Sequence, residues 1–436
     1  MTDSVRPNEG GNLAADGAAR AAQVTQVKSG GETSPAGRSG LIAVIGMGIF
    51  CTTFGQTGVI GGFPLRFFFK DTLHLTASQV SLFFLISTSA WYFKPAAGLL
   101  SDCFPIFGTR RRHYLLSSAL FCVMFWCAIG FFSARYPALL AATICLNAAM
   151  VIGSTVAGGM LVEAGQEMGA TGRLSSMRIF LASSAQLMAA PLGAWMAGHW
   201  PFRISAMVIG LSFLPLALIT TIWLRERETA VRDTTALTRT IDEFRLLFSS
   251  KLLWAAAGMW ALVVLAPGFG TVLFYRQNDV LHFSKGFLSL LVVVSGLMGI
   301  LASSIYAYLC RRLSLRILLP LGIVLTASGA LLYLHYNGHT ALLIDGINGC
   351  LGSLALLALF DMAARATPRP AASLGYALLM SVNNIITQVA DNIGSQLHDK
   401  AHWPFSHLVW LNAVTTLAAL IAIPFLPRAL MVKTDD

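Results

Sequence analysis

The stretch Lys94–Tyr114, KPAAGLLSDCFPIFGTRRRHY, gathers a lysine, an aspartate, three consecutive arginines, two prolines and two glycines between two apolar runs. Residues of these types at this spacing can form ion pairs that make and break. Asp102 falls at a helix C-terminus, where the helix dipole disfavours an anion. It needs a cation, and Arg110, Arg111 and Arg112 lie within reach across a short turn. Gly98 would let its helix approach a neighbour closely. Together these five residues read as a gate latch. The competing reading, that three arginines only anchor the loop to phospholipid, leaves Gly98 and Asp102 without a role.

Other polar residues lie deeper in apolar surroundings, where charge is costly and functional roles concentrate. Lys94 precedes Asp102 by about 12 Å along a helix at 1.5 Å per residue, too deep for the loop and shallow enough to snorkel. It either faces an anionic substrate or pairs with another helix. Ser381, Asn384, Gln388, Asp391 and Ser395 recur at helical steps and form one polar stripe. The stripe lines a cavity or glues two helices together; the cavity reading predicts water access at 384, 388 and 391. Gln56, Thr57 and Gln186 are placed to face the same cavity from the other half of the chain. Glu163 and Arg178 read as a structural ion pair or, alternatively, as direct substrate contacts. Asp361 is expected to meet Arg365 one helical turn on, and Asn147 reads as a packing contact.

The elements that must carry these residues follow from composition. The chain of 436 residues is 56% hydrophobic and only 11% charged, against about 25% charge in soluble domains, which makes it a polytopic membrane protein. Spans need about 20 mostly apolar residues each. Apolar runs fall at 41–68, 78–101, 113–134, 137–162, 173–198, 201–224, 252–275, 286–309, 316–336, 341–364, 373–397 and 405–426. The longest linker, 225–251, divides these twelve six and six, and its mixed charges suit an amphipathic helix on the membrane face. The chain thus divides into a disordered tail (1–40), a six-helix half (41–224), the linker and a second six-helix half with a short tail (252–436). Counted with both termini inside, the inner segments hold 21 Lys and Arg and the outer segments seven. The positive-inside rule therefore predicts cytoplasmic N- and C-termini, in a plasma or bacterial inner membrane. The net charge of +10 is explained by those loops and implies no nucleic-acid partner.

Twelve spans around a central loop are the plan of a transporter built from two pseudo-symmetric halves, and YAYLCRRLSLR (306–316) echoes the opening cluster in the equivalent loop of the second half. The seven cysteines show no CxxC spacing and read as core residues. Eight of the nine histidines fall in or beside the outer loops, without metal-ligand spacing; interfacial placement and an external pH sensor both remain open. No Walker motif and no catalytic constellation is present, so the chain is expected to be a monomeric, cofactor-free carrier rather than an enzyme, with lipid and a small molecule as partners.

Gly98, Ser101–Asp102 and Gly108-Thr-Arg-Arg-Arg resemble the signature of the major facilitator superfamily. The longer pattern KP-x-x-G-x-x-SD-x-FP-x-FG-x-RRR-x-Y is similar to that of the folate-biopterin transporter family. So are GRLSSMRIFLASSAQLMAAPLGAWMAG (172–198), LFYRQNDVLHFSKGFLSLL (273–291) and TPRPAASLGYALLMSVNN (367–384). The resemblance implies a major facilitator fold and secondary active transport, by alternating access, of a folate- or pterin-like or other polar organic anion, with a proton as coupling ion. The chain departs from the family's pattern twice. An aspartate that family members carry upstream of Val162–Glu163 is replaced in the register Ala157-Gly158-Gly159, and a glutamate before the eleventh span is replaced at Ala371–Ala372. These losses leave two other readings open, a carrier of S-adenosylmethionine or another polar metabolite, and a transport-inactive assembly factor or receptor of the same fold. The latch predicts that Asp102→Asn lowers transport while the protein still reaches the membrane. Transport at the normal rate with equal protein in the membrane would overturn it.

Overall fold

A computed structural model describes residues 35–104, 106–168, 171–224, 226, 234–368 and 371–431. The expected disordered tail lies outside these residues up to position 34; from Pro35 the chain is already helical. The described chain is helical, without a β-strand, and its only β-type pairing is the isolated bridge between Ile106 and Thr109. In chain order the helices of the first half are α1 (Pro35–Phe54), α2 (Gly62–Phe67), α3 (Ala77–Ser87), α4 (Lys94–Cys103), α5 (Arg112–Phe131), α6 (Tyr136–Glu167), α7 (Thr171–His199), α8 (Phe202–Leu211) and α9 (Leu214–Trp223). A connecting helix α10 (Thr234–Ser249) follows. The second half comprises α11 (Lys251–Val264), α12 (Gly270–Tyr275), α13 (Lys285–Arg312), α14 (Leu315–Leu332), α15 (Ala341–Ala366), α16 (Ala372–Asp399), α17 (Phe405–Ala418) and α18 (Arg428–Met431). One hydrophobic core draws on residues between Val44 and Leu224, another on residues between Leu247 and Met431. These cores belong to the two six-helix halves.

Eight of the twelve apolar runs form helical segments long and apolar enough to span a bilayer, among the described residues. The first, second, seventh and eleventh do not. The eleventh is one long helix, α16, whose polar stripe lowers its hydropathy. The other three are broken, and each break has a physical cause. In the second run, Pro95 follows directly on the start of α4 and has no N–H to continue the preceding helix. At the break Tyr92 Oη donates to Leu85 O at 2.7 Å, and Thr88 Oγ1 gives Phe84 O a second donor at 2.6 Å beside the Thr88 backbone N–H.

The first and seventh runs are broken in the same way. After each break comes a six-residue helix (α2, α12), then one turn of π-helix (Phe68–Thr72, Arg276–Val280). A histidine with positive φ follows (His74, 52°; His282, 51°), and then the N-cap of the next helix (Thr76, Ser284). The residues repeat too: Asp71-Thr-Leu-His-Leu-Thr76 answers Asp279-Val-Leu-His-Phe-Ser284. This is a clearer internal repeat than the 306–316 echo. Backbone polar groups inside a bilayer must find partners within the protein, and here neighbouring helices supply them. Trp126 Nε1 donates to Gly55 O at 3.0 Å in the first break. In the second, Gly268 N donates to Ala390 O at 2.9 Å and Asn412 Nδ2 to Pro267 O at 3.0 Å.

Both breaks press against a glycine on the fifth helix of their own half. A Cβ on Gly193 in α7 would meet Ile60 O at 2.7 Å, and one on Gly394 in α16 would meet Gly268 O at 1.7 Å. At the connection between halves, α10 meets α11 at 71° across Ser250, whose hydroxyl caps α11 by accepting from Leu253 N at 3.3 Å.

Gly394→Ala is therefore expected to lower the melting temperature sharply or prevent recovery of monodisperse protein, with Gly193→Ala following the same direction. Gly258→Ala on α11, where a Cβ meets nothing within 4 Å, should be neutral or stabilising by up to about 1 kcal/mol. Thermal unfolding of the three variants in detergent checks this, and equal melting of Gly394→Ala and Gly258→Ala would contradict it.

Candidate functional site

The break in the second run sets up the site. Because α3 ends at Ser87 and α4 begins at Lys94, Trp91 and Lys94 are presented at a junction rather than along one helix face. Trp91 is held by its indole N–H, which donates to Asn147 Oδ1 at 2.8 Å, and the Lys94 ammonium lies 5.5 Å from its ring centroid. Both line a cavity of about 720 Å³ between the halves. Gln56 and Thr57 enter it from the break after α1, Arg178 from α7, and Asn383, Asn384, Thr387 and Gln388 from α16. Towards the end of the bundle bearing Arg110–Arg112, the basic end, it is lined by Arg111, Glu163 and, from α10, Glu243.

The opposite end is closed by contacts between the halves. Lys70 Nζ pairs with Asp279 Oδ1 at 2.5 Å. Ser78 N donates to Asp399 Oδ2 at 2.6 Å, Asn392 Nδ2 to Ser81 Oγ at 3.1 Å, and Tyr275 Oη to Leu75 O. Phe67 meets Phe274 edge-on at 5.2 Å.

The cationic character of the cavity comes from Lys94 and Arg178. They are near enough for their like charges to repel, and among the described residues neither pairs with a carboxylate. The expected Glu163–Arg178 pair is not formed. Glu163 pairs instead with Arg111, whose guanidinium crosses the α6 backbone where Gly159 leaves room; a Cβ there would lie 3.2 Å from Arg111 Nη1. One helical turn separates Gly159 from Glu163, so the arginine lies flat along the helix and reaches the carboxylate. Arg111 Nη1 also donates to Ser101 Oγ at 3.3 Å.

The arginine cluster has a second anchor that the sequence reading missed. The Glu226 carboxylate accepts from the backbone N–H groups of Arg110, Arg111 and Arg112 at 2.9, 3.0 and 2.9 Å. An acid just beyond α9 thereby satisfies N–H groups left without intrahelical partners at the start of α5. Ahead of them Phe107 and Gly108, with φ of 46° and 74°, make the tight turn closed by the Ile106–Thr109 bridge. The Asp102 side chain lies outside the described residues. Gly98 does not serve close helix approach: a Cβ there would meet Thr155 Cγ2 at 3.4 Å, an ordinary contact. What it leaves is space at the cavity wall.

The α16 stripe divides. Asn384 and Gln388 face the cavity, whereas Ser381 and Ser395 are buried. Asp391 is turned away: its carboxylate accepts from Thr271 N at 3.0 Å and Thr271 Oγ1 at 2.5 Å, with the Arg66 charge nearby. It stabilises the start of α12 after the break. Gln186 is also separated, in a crevice of about 140 Å³ between α7 and α13 beside Leu187, Val292 and Gly296. Asp361 meets Arg365 in a two-pronged pair, both contacts at 2.9 Å. Asn147 proves to be the residue that orients Trp91 rather than a bare packing contact.

Comparison with known proteins agrees with this architecture. A family model described as the BT1 family matches residues 58–435. The folate-biopterin transporter of Synechocystis sp. is 26% identical over 412 residues, covering 85% of this chain and 78% of its own. Folate transporter 1 of Plasmodium falciparum is 21% identical over 392 residues, covering 84% and 76%. Among solved structures, the nucleoside transporter NupG superposes with a TM-score of 0.68 at 12% identity, covering 89% of this chain and 98% of its own; this likeness is one of fold.

In a background without native cysteines, single cysteines at 384 and 388 are expected to react with a membrane-impermeant thiol reagent applied at the basic end. One at 391 or 186 should react at least about tenfold more slowly. Equal rates at 388 and 391 would show that Asp391 is not withdrawn from the cavity.

Proposed function

The chain belongs to the BT1 family, and from that premise we propose that it is a secondary active transporter of a folate- or pterin-like or other polar organic anion, coupled to protons. Transport is the family's activity, and enzymatic chemistry is not. The observation that carries the substrate class is the pair of cavity cations, Lys94 and Arg178, with no carboxylate partner among the described residues. Holding an ammonium at membrane depth costs about 3 kcal/mol on insertion scales, and an incoming anion would offset that cost. Trp91 adds a flat apolar face suited to an aromatic ring, and Gln56, Asn383, Asn384 and Gln388 add amide donors and acceptors for ring nitrogens and carbonyls. A heteroaromatic ring bearing a carboxylate fits this set; a cationic metabolite such as S-adenosylmethionine fits it poorly.

The mechanism follows from the two ends of the cavity. With the termini cytoplasmic and the basic end inside, as the 21-to-7 distribution of Lys and Arg supports, the described state faces inward and is sealed outside. Alternating access then consists of the halves 41–224 and 252–436 rocking about the 225–251 connection. The Lys70–Asp279 seam opens while the region around Arg111, Glu163 and Glu243 closes. Substrate contact is assigned to Lys94, Gln56, Thr57, Asn384 and Gln388, together with Arg178. Arg111, anchored by Glu163, and the Arg110–Arg112 backbone, anchored by Glu226, form the fixed side of the inner gate.

Position 158 bears directly on specificity. A Cβ on Gly158 meets nothing within 4 Å, and the residue lines the cavity. An aspartate there would project into the space shared with Lys94. Lys94→Gln is expected to weaken binding of labelled folate about tenfold, the order of one charge-assisted hydrogen bond, and Gly158→Asp should weaken it by supplying a competing internal anion. Binding in detergent, with uptake of labelled folate, biopterin and S-adenosylmethionine into expressing cells, tests the reading. Wild-type affinity in Lys94→Gln would overturn the anion assignment, and uptake of S-adenosylmethionine alone would replace the substrate class.

A further inference from the structure

Most carboxylates placed within the spans are held by a cation. Glu163 has Arg111 and Asp361 has Arg365, while Asp391 lies within electrostatic reach of Arg66. Asp345, in the second turn of α15, differs. It is only 8% exposed, and its two oxygens accept from two phenols, Tyr336 Oη at 2.5 Å and Tyr333 Oη at 2.7 Å. Among the described residues no cation pairs with it.

The other charged and titratable groups on the surrounding elements are directed elsewhere. Lys285 at the start of α13 donates to Ala197 O at 2.8 Å and lies over the Phe67 ring. Arg276 lies over Phe405, Asp279 pairs with Lys70, and Tyr275 donates to Leu75 O. On α16, Asp391 and Asp399 are engaged by Thr271 and Ser78, His398 by Trp403 O and Lys400 by Gln396. His282, His335 and His339 are exposed. Arg316 of α14 and Lys251 of α11 lie at the basic end of their helices.

We propose that Asp345 is a proton-binding site that sets whether the seam between the halves at the Lys70–Asp279 end is closed. This rests on the orientation given above, in which that end faces outward. The link to the seam is short. Tyr336, 3% exposed, donates to Asp345 and accepts from Gln277 Nε2 at 2.6 Å. Gln277 belongs to the same π turn as Asp279, the residue that pairs with Lys70 across the seam. With Asp345 ionised, the directions are fixed: Gln277 donates to Tyr336 and Tyr336 donates to the carboxylate. A proton taken from the outer aqueous phase adds to Oδ2, the oxygen that accepts from Tyr336, and no covalent bond is broken. The acid then donates from Oδ2 to the Tyr336 hydroxyl, which can no longer donate to it, and Gln277 turns its amide to accept from the phenol or releases it. Either change loosens the π turn that carries Asp279, so protonation favours an open outer seam. A buried carboxyl held by two phenols and, among the described residues, by no cation can take up a proton without breaking an ion pair.

The test reads the seam itself and needs no substrate, so a failure of folate uptake would leave it intact. Spin labels at Thr72 and Val280, exposed positions at the ends of the two π turns, report the distance across the seam by pulsed electron resonance. The measurement uses full-length protein with native cysteines replaced, in lipid nanodiscs. Lowering pH from about 8 to about 5 is expected to lengthen this distance, with the response abolished in Asp345→Asn. Tyr333→Phe removes a donor to the anion but leaves the Tyr336–Gln277 link, so its midpoint should move to higher pH by about one unit, whereas Tyr336→Phe cuts the link and should abolish the response. A wild-type pH response in Asp345→Asn or Tyr336→Phe, no response in the parent protein, or an unmoved midpoint in Tyr333→Phe would each overturn the proposal. If Asp345→Asn does not assemble, the Tyr333→Phe midpoint decides.

Discussion

The structure depends on one constraint: an exposed backbone amide or carbonyl cannot be left without a partner inside a bilayer. Breaking a membrane helix is therefore possible only where another part of the protein can satisfy the freed groups. The first and seventh runs are broken against the fifth and eleventh, and in both cases a glycine on the partner helix lets the bare backbone come close. The Trp126 indole supplies a donor to one break; the Ala390 carbonyl and the Asn412 amide satisfy the other. The second run is broken at Thr88–Phe93, where Tyr92 supplies a donor to Leu85 O and Thr88 a second donor to Phe84 O. These three interruptions bring Gln56, Thr57, Trp91 and Lys94 to the cavity and set the π turns at the sealed end.

Electrostatics follows the same logic. Most acids in the spans are neutralised by a cation or by several hydrogen-bond donors, and the packing shows which. Glu163 could be reached by two arginines on sequence grounds, but only Arg111 can lie along α6, because Gly159 presents no side chain there. That choice leaves Arg178 with Lys94 as a like-charged pair facing water-accessible space. A cavity so arranged presents two positive charges, and they reside on two different helices of one half. The neutral amides come largely from α16 in the other half. A ligand touching both sets would bridge the halves, which is the geometry alternating access requires.

The two ends of the cavity are held by different kinds of contact. At the sealed end, the halves meet through an ion pair, aromatic edges and side-chain hydrogen bonds to backbone, each modest alone and able to separate. At the basic end, Arg111 and the Glu226 cap join helices within the first half, so they fix the shape of that half. The positively charged loop thus does not act as a bare lipid anchor, and the tight turn at Phe107–Gly108 brings the arginines back onto the bundle.

Much of this was legible in the chain alone. Twelve apolar runs, a charged midpoint and the folate-biopterin-like cluster led to an all-helical transporter of two halves, because hydropathy and span length are dictated by the bilayer rather than by tertiary detail. The stripe on α16 located Asn384 and Gln388 because helical periodicity places them on one face. Other assignments depended on distances that no periodicity encodes. A stripe says which residues share a face, not how far along it the cavity reaches, so Asp391 could be withdrawn to Thr271 unseen. Gln186 faces away because α7 packs α13 beside it. The D-x-L-H-x-(S/T) repeat was visible in the sequence, but its meaning was not, since π turns and positive-φ histidines are conformations rather than compositions. Glu226, Asn147 and Asp345 carry no local signal that separates them from ordinary loop or core polar residues. Only the tertiary structure decides their roles, because a hydrogen bond between residues as far apart as Arg110 and Glu226 is a fact of packing.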